Sequence, residues 1–228
     1  TSTADFDPLL IRGADQDTPA DWTPSQTSTA GDLRVSRGSR IVAALPTRQE
    51  ILVWTDSTLY ALQFLGTTDV FGLQEYADNI SIISPRCMAS AANITYWMGQ
   101  DKFYKYDGRV QTLRCDLRQF VYNDINRAQF GQVFASTNEG FNEVWWFYCS
   151  ESSTQIDRYV VYNYLEKIWY YGQMSRTAWV DSPLQLGPVA ALGTTSAGRL
   201  VVHEQGTDDL STNVTAPIRA FIQSADFD

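Results

Sequence analysis

The chain of 228 residues carries 26 acidic and 17 basic side chains, which gives a formal net charge of −9. Its hydrophobic content of 44% is ordinary, whereas 13% aromatic residues with seven tryptophans is high for a globular protein. Proteins that bind nucleic acid along a groove present basic residues to the phosphates, so the acidic balance argues against that class. It is still compatible with DNA that slides past without sticking, because like charges repel.

The cysteines and the hydropathy of the chain argue against a disulfide framework and against a membrane-spanning segment. Cys87, Cys115 and Cys149 are odd in number and widely spaced, which predicts three buried thiols in a reducing compartment, with one bridge plus a free thiol as the alternative. No apolar run approaches the roughly 20 residues that cross a bilayer, and no signal-peptide pattern is visible. The sequence at Thr1 does not resemble a natural chain start, and Ala220–Ile222 resembles a strand that continues into further structure. We therefore expect a piece of a longer polypeptide.

Residues 1–39 are poor in strand-forming runs and rich in Asp, Thr, Ser and Pro, which predicts an extended acidic arm or loop. Asp15, Asp17 and Asp21 lie close together near Trp22. A D-x-D spacing can bind calcium, but the EF-hand loop continues with a third oxygen ligand, a glycine and a distal glutamate, which this segment lacks. The favoured interpretation is a solvated acidic loop.

From residue 40 to residue 228 the pattern predicts one domain of short antiparallel strands. Runs of β-branched and aromatic residues are bounded by clusters of turn-forming residues. Asp107-Gly108 is a strong hairpin signal, since both positions tolerate positive φ. The first predicted strands are Arg40–Leu45, Ile51–Trp54, Leu59–Leu65, Ile80–Ile83, Met88–Ala91, Ile94–Met98, Lys102–Tyr106 and Val110–Leu113.

The segment Asp116–Arg127 breaks the strand pattern. Its apolar residues recur at helical spacing, and Asp116 is a suitable N-cap, so we predict one short helix inserted between the meanders. The residues that define the helical face are Leu117, Phe120, Val121 and Ile125.

The strongest strand signal lies in the meander from Glu143 to Gly172, which Gln132–Ser136 precedes. In an alternating strand, Trp145 and Phe147 face one side while Trp146 and Tyr148 face the other, so both faces are apolar and the strand is expected to be buried on both sides. The remaining predicted strands are Val144–Cys149, Arg158–Tyr164, Ile168–Tyr171, Ala178–Val180, Val189–Leu192, Leu200–His203 and Pro217–Ile222, with a turn at Thr194–Gly198.

A weak internal repeat links these meanders. Trp54, Trp97, Trp146 and Leu192 each precede a polar turn and a second strand, at separations of 43, 49 and 46 residues. Blades of β-propellers repeat every 40 to 50 residues or so, with four strands each. The fold class predicted is all-β, with β-propeller-like stacked antiparallel meanders and one short helix near 116–127; a sandwich or jelly roll is the alternative.

The sequence predicts neither a catalytic set nor a cofactor or metal site. A serine or cysteine nucleophile usually needs a histidine base, and the only histidine, His203, lies on a predicted strand, where a surface or hydrogen-bonded role is the favoured interpretation. The phosphate-cradling and zinc-binding motifs are also missing from the sequence. We therefore expect a protein that is not an enzyme.

Glycoside hydrolysis, which needs two carboxylates and aromatic platforms, is the alternative kept open. Glu143 beside Trp145 and Trp146 is the best candidate acid, with Asp107 or Asp181 as a distant partner. The favoured interpretation is that Glu143 ends a turn while one of the tryptophans enters the core.

Loops are the places where we expect any binding site, above all the polar loop Ser150–Gln155. Glycosylation sequons occur at Asn79, Asn93 and Asn213, and without a signal peptide they are interpreted as chance matches.

Three phrases resemble virion structural proteins of tailed bacteriophages, of the tail nozzle, hub or packaged-DNA-stabilisation type. They are TRQEILVWTD at Thr47–Asp56, YWMG-x-x-x-F-Y-x-YDG at Tyr96–Gly108 and NEVWWFY at Asn142–Tyr148. The similarity covers most of residues 10–206, and the family's full-length proteins are longer than this chain.

The resemblance implies a β-propeller-like body in a homo-oligomeric ring, commonly of six copies, below the portal and adaptor. It implies assembly in the host cytoplasm, a place in the virion tail, and a channel that phage DNA crosses without sequence-specific binding. No catalytic residue follows from it. We therefore expect a structural protein that helps retain and pass the genome. The alternatives are a carbohydrate-binding or glycoside-hydrolysing propeller that acts on the host surface, and a cellular kelch-type scaffold.

Overall fold

The computed structural model describes residues 6–25, 28–66, 70–181, 187–192, 199–209 and 216–218. Antiparallel meanders follow one another along the chain, which confirms the all-β prediction. None of the helices among these residues is long and apolar enough to cross a membrane. The strands are β1 Leu10–Gly13, β2 Gly31–Arg34, β3 Ile41–Pro46, β4 Ile51–Thr55, β5 Thr58–Phe64, β6 Phe71–Asp78, β7 Met88–Ala91, β8 Ile94–Met98, β9 Phe103–Tyr106, β10 Val110–Leu113, β11 Phe134–Asn138, β12 Glu143–Tyr148, β13 Arg158–Asn163, β14 Ile168–Gln173, β15 Arg176–Val180, β16 Val189–Leu192, β17 Leu200–Val202, β18 Asp208–Asp209 and β19 Ala216–Pro217.

Each strand pairs with the next one along the chain, so the sheets are simple meanders. Strands β3–β6 form sheet 1, β7–β10 form sheet 2, β11–β14 form sheet 3, and β15–β17 form sheet 4. Sheets 1 to 3 have four strands each, whereas sheet 4 has three among the described residues. Two-stranded hairpins, β1–β2 and β18–β19, lie before and after them.

The first strands of the four sheets surround a common cavity of about 400 Å³. Leu45 of β3, Met88 of β7, Ala135 of β11 and Ala178 of β15 all line it. A parallel bridge links Arg86, just before the first strand of sheet 2, to Phe134 in the first strand of sheet 3. Sheets that place equivalent strands around one cavity are arranged as propeller blades are, as the repeat predicts.

Apolar side chains fill the space between successive sheets. The largest cluster joins sheets 1, 2 and 3, and a second joins sheets 3 and 4. Trp146 and Tyr148 belong to the first cluster, and Trp145 and Phe147 to the second. The alternation predicted for β12 is thus confirmed, since all four side chains are buried and successive ones enter opposite layers.

The four positions of the predicted repeat all lie in the second strand of their sheets, as expected. Trp54 is in β4, Trp97 in β8, Trp146 in β12 and Leu192 in β16. Their orientations differ, however. Trp54 and Trp97 meet edge to face between sheets 1 and 2 with centroids 5.5 Å apart, while Trp146 contacts Phe103 between sheets 2 and 3. Trp97 and Trp146 thus face the preceding sheet and Trp54 the following one, so the repeat holds for strand order but only in part for side-chain direction.

The N-terminal segment contains a hairpin that the sequence did not predict. Strands β1 and β2 pair between residues 10–13 and 31–34, and Leu9 and Val35 beside them are buried against Val53 and Tyr60 of sheet 1. The strands were missed because each has four residues and polar side chains on its outer side. The hairpin covers the face of sheet 1 that points away from sheet 2.

In the first half of the chain one strand prediction is wrong, and one strand was not predicted. Ile80–Ile83 is a connecting segment and not a strand; Ile80 and Ile82 are buried because this segment crosses the core between sheets 1 and 2. Conversely, β6 was not predicted. It mixes polar residues into its pattern because it is the last strand of sheet 1 and lies at the sheet edge.

The inserted helix exists, but it is shorter than predicted and begins differently. Helix α1 spans Arg118–Asp124, and Leu117 is its N-cap without a side-chain cap, so the prediction of Asp116 as N-cap is wrong. Asp116 pairs instead with Arg114 at 3.4 Å. Short 3-10 helices follow at Arg127–Gln132 and Glu139–Phe141.

Near the C-terminus some predictions fall outside the described residues, namely the turn Thr194–Gly198 and the part of the last strand from Arg219 to Ile222. The described strands there are short, and β17 ends at Val202, before His203. All three cysteines are free thiols; Cys87 and Cys149 are buried and Cys115 is partly buried. Burial raises the pKa of the Cys87 thiol to about 11.

Candidate functional site

A cavity of about 810 Å³ opens where turns of three sheets converge. We call it the turn-face cavity. It is lined by the β3–β4 turn, the β7–β8 turn, the β9–β10 turn and Glu139 from the β11–β12 connection. In a meander these connections all leave the sheets at one end. Stacking the sheets around a common axis therefore brings them together although they are far apart in sequence.

A carboxylate hub forms one wall of the turn-face cavity. Tyr76 and Tyr106 each donate a hydroxyl hydrogen bond of 2.5 Å to Glu50, one to each carboxylate oxygen, and Gln63 Nε2 donates to Oε2 at 2.9 Å. Burial by itself raises the pKa of Glu50, but the bonds from Tyr106, Tyr76 and Gln63 together lower it below the ordinary value. Glu50 is therefore an ionised acceptor at neutral pH.

Asp107, one of the acids considered for glycoside hydrolysis, also lines this cavity. Lys105 Nζ donates to its Oδ2 at 2.9 Å, and Gln111 Nε2 to its Oδ1 at 3.2 Å. The hydrogen bond from Lys105, together with the charges of Lys105 and Arg109, lowers the pKa of Asp107. The β9–β10 hairpin around Asp107-Gly108 forms as predicted.

Glu143, the other candidate acid, is buried at the start of β12 and does not line the turn-face cavity. Trp145 Nε1 donates to it at 2.8 Å, Tyr170 donates its hydroxyl to Oε1, and Asn138 Nδ2 donates at 3.3 Å. The same Asn138 amide reaches Glu204 at 3.4 Å. Burial, and then the charge of Glu143, raise the pKa of Glu204.

Asp181 has contacts of its own at the end of sheet 3. It accepts from Glu139 N at 2.7 Å and from Thr137 Oγ1 at 3.2 Å. Glu143, Asp107 and Asp181 thus bind three different sets of residues, and the described contacts do not join them. The Asn138 amide instead links Glu143 to Glu204, an acidic partner that the sequence did not suggest.

His203 lies beside the last strand of sheet 4, where its ring contacts Trp179 with centroids 4.4 Å apart. Arg176 Nε donates to His203 Nε2 at 3.0 Å, which requires an unprotonated ring nitrogen. Burial, and then the charge of Arg176, lower the pKa of His203 to about 4. The hydrogen-bonded role predicted for this histidine is confirmed.

The loop Ser150–Gln155, where we expected a binding site, is tied to neighbouring segments. Ser150 donates to Asp157 at 2.6 Å, Asn126 donates to Ser153 O at 2.9 Å, and Gln132 donates to Thr154 O at 2.9 Å. The loop lines neither of the two cavities described above.

The acidic N-terminal loop is organised by its own chain. Asp15 accepts from the backbone N of Thr29 at 2.8 Å and from its hydroxyl at 2.7 Å, and these bonds lower its pKa. Among the residues the structure describes, no group of three or more His, Cys, Asp or Glu could hold a metal ion. Two of the sequon residues, Asn79 and Asn93, lie in turns with positive φ, and Asn213 falls outside the described residues.

The Glu50 hub could not be predicted from the sequence. Glu50 stands in a polar turn, and the hydroxyls that bind it come from residues 26 and 56 positions further along the chain. A glutamate that precedes a strand carries no local signal of such partners. The phrase YWMG-x-x-x-F-Y-x-YDG does contain Tyr106 and Asp107, but only as part of a hairpin pattern.

No protein-family profile matches the chain, and no curated protein matches it significantly. Among solved structures, a similar chain occurs in an S. cerevisiae complex of a Dbp5 variant bound to Nup159, a Gle1 variant, IP6 and ADP. The TM-score is 0.31 at 10% identity, and the alignment covers 81% of this chain and 68% of that chain. A likeness at this level carries no argument about fold or function.

Proposed function

We propose that the protein is a structural component of a tailed-phage virion. It forms a homo-oligomeric ring in the tail or head–tail region that helps retain the genome and then pass it. It has a mechanical role in this proposal and performs no catalysis.

The observation that carries this proposal is an exposed apolar face on sheet 4. In β15 to β17, Trp179, Ala190 and Val201 point toward sheet 3 and pack in the cluster it shares with sheet 4. The alternate residues form the opposite face, and the largest of them are exposed: Val180 by 60%, Leu200 by 73% and Val202 by 46%. Contiguous exposed apolar surface of this kind is typical of protein–protein interfaces.

The other end of the stack supports the same proposal by contrast. The outer face of sheet 1 is also apolar, but Leu9, Ile11, Leu33 and Val35 of the N-terminal hairpin segment cover it. Among the described residues, one end of the series of sheets is therefore covered and the other presents exposed apolar side chains. Association of two such different ends is heterologous, and it forms a ring when the rotation between copies closes.

The phrases that resemble phage virion proteins support the proposal as well. They coincide with the β3–β4 turn and β4, with the β8–β9 hairpin, and with β12. Trp54, Trp97 and Trp146 in these strands are fully buried. The resemblance is thus concentrated in residues that determine how the sheets stack, and a ring protein depends on that stacking. The net charge of −9 suits contact with passing DNA and not its capture.

The proposal is tested on virions. An antibody raised against this chain is applied to purified phage particles, and gold-labelled second antibody is located by electron microscopy. Labels at the tail or head–tail junction are the expected result. Particles that carry the protein nowhere, by labelling and by mass spectrometry of purified virions, would contradict the proposal.

A further inference from the structure

We propose that the turn-face cavity is a binding site for a neutral saccharide. This inference does not depend on the phage assignment. It rests on the dimensions of the cavity, on the fixed hydrogen-bond acceptors in its wall and on its balance of charge.

The cavity has the size of a ligand site. At about 810 Å³ it lies within the range of roughly 300–1,000 Å³ that small-molecule sites occupy. Its walls are turns that are fixed by their own hydrogen bonds. Thr47 Oγ1 donates to Glu50 O at 2.8 Å, and the backbone N of Thr47 donates to the same oxygen at 2.8 Å. A rigid wall lowers the conformational cost of binding.

Two ionised carboxylates in the wall are held in place by other side chains. Glu50 is fixed by Tyr76, Tyr106 and Gln63, and Asp107 by Lys105 and Gln111. An ionised carboxylate offers about four acceptor positions. The bonds above occupy three positions on Glu50 and two on Asp107, so each group can accept a further hydrogen bond. Acceptors that are fixed in advance suit a ligand that presents hydroxyl donors.

The remaining wall residues supply donors, hydroxyls and apolar surface. Arg48 and Asn93 can donate, and the hydroxyls of Ser90 and Thr95 lie 2.9 Å apart. Pro46, Ala92 and the ring of Tyr106 add carbon surface. A sugar hydroxyl both donates and accepts, and a sugar ring has an apolar C–H face. Saccharides therefore match this mixture of groups.

The charge balance favours a neutral ligand. The lining carboxylates are Glu50, Asp107 and Glu139, and the lining cation is Arg48. Lys105 further offsets Asp107, to which it is bonded. The resulting charge is close to −1, which repels anions and gives a cationic ligand only weak attraction.

The test measures binding of neutral trisaccharides built from glucose, galactose, mannose or N-acetylglucosamine, by saturation-transfer NMR and calorimetry on the full chain. Asp107→Asn and Arg48→Gln change the cavity. Asp116→Asn and Arg114→Gln make the same chemical changes at an exposed ion pair elsewhere. Near-UV circular dichroism verifies that each variant is folded.

The expected result is saturable binding of at least one trisaccharide, weakened about tenfold or more by Asp107→Asn and unchanged by the control variants. Arg48 is exposed and has no described side-chain partner, so Arg48→Gln keeps the test valid if Asp107→Asn does not fold. Binding that survives both cavity variants would overturn the inference. So would a failure of every trisaccharide to bind, or binding of trilysine in their place.

Discussion

Trp146 shows how single side chains hold the sheets together. It is fully buried, and its ring contacts Phe103 of sheet 2 at 5.0 Å and Trp169 of its own sheet at 5.8 Å. Its indole Nε1 donates to Cys87 O at 3.0 Å, so the polar atom is also satisfied across the interface between sheets. Trp146 thus stabilises the contact between the sheets both by burial of its ring and by a hydrogen bond.

Truncation of this side chain is expected to be severely destabilising. Trp146→Ala leaves a cavity and removes one of the two hydrogen bonds to Cys87 O, the other coming from Met98 N, and should lower the free energy of unfolding by about 3–5 kcal/mol. Urea denaturation followed by circular dichroism measures the loss. Ile168→Ala, at a residue that is 49% exposed, is the control and should change stability by less than about 0.5 kcal/mol. Equal effects in the two variants would contradict the assignment of Trp146 to the core.

The Glu50 hub is a second arrangement at the scale of residues. The rings of Tyr76 and Tyr106 stack with centroids 5.4 Å apart while both hydroxyls bind Glu50. Burial, followed by the bond to Glu50, raises the pKa of Tyr106, so this hydroxyl remains a donor. The hub joins the β3–β4 turn of sheet 1 to the last residue of β9 in sheet 2.

Tyr106→Phe removes one charge-assisted bond and should lower stability by about 1.5–3 kcal/mol at pH 7. The pKa of Glu50 is lowered by folding, so the hub stabilises the protein above the unfolded pKa of Glu50, and this contribution is lost as pH falls through the folded value. The difference between wild type and variant should therefore shrink under acid conditions. Denaturant titrations at several pH values measure this difference in stability. Tyr171→Phe, at the exposed edge, is the control. A difference between wild type and Tyr106→Phe that does not vary with pH would contradict an ionised Glu50.

Among elements, sheet 4 carries a titratable side chain where it meets sheet 3. His203 is held unprotonated between Arg176 and the ring of Trp179. Trp179 in turn stacks on Trp145 of sheet 3 at 5.1 Å, and its Nε1 donates to Thr137 O at 2.9 Å. Protonation of His203 would place two cations in contact at the point where sheet 4 meets sheet 3.

We predict a loss of stability in acid that depends on His203. The unfolded histidine, with its ordinary pKa of 6.5, binds protons before the folded one, whose pKa is about 4. Stability from the neutral ring is complete above pH 6.5 and is lost as pH falls toward 4. With allowance for solvent screening, the loss is about 1–2 kcal/mol.

His203→Gln preserves an acceptor for Arg176 and does not titrate. Melting temperature is measured between pH 7.5 and 4.5 by circular dichroism, conditions that span most of this interval. The wild type should lose more melting temperature than the variant as pH falls. Parallel curves for the two proteins would show that His203 does not carry the effect.

For the whole molecule, the difference between the two ends of the stack is the dominant feature. The hairpin segment closes sheet 1, while the outer face of sheet 4 leaves Val180, Leu200 and Val202 exposed. Val180 of β15 and the two residues of β17 lie on the same face of sheet 4, on the strands that flank β16, and form a surface that water does not stabilise. This face is where we expect a second copy to bind.

Substitution of that face should weaken self-association without unfolding the chain. Leu200→Ser is expected to shift the protein toward the monomer in analytical ultracentrifugation, because it removes the most exposed of the three residues. Leu165→Ser, at a leucine that is 70% exposed in the β13–β14 turn, is the matched control and should leave the distribution unchanged. A monomeric wild type, or equal effects of both variants, would contradict assembly through sheet 4.

Local patterns predicted much of the fold. Met88–Ala91, Ile94–Met98, Val110–Leu113 and Val189–Leu192 form strands with the bounds that the sequence indicates. The predictions fail where buried residues are not part of a strand, or where a strand has no apolar run. The isoleucines at 80 and 82 are buried in a connection without being in a strand, and β6 is a strand without an apolar run. Short β1 and β2 give no periodic signal because four residues span only two alternations.

The sequence by itself determined the class of the fold, the order of the hairpins and the two opposite directions of Trp145 and Trp146. These follow from turn chemistry and a two-residue period, which act between neighbours in the chain. Tertiary structure alone decided that Glu50 meets Tyr106, that Asp107 and not Glu143 lines the turn-face cavity, and that one face of sheet 4 presents exposed apolar side chains. Those contacts depend on how successive sheets stack, and no local pattern encodes that packing.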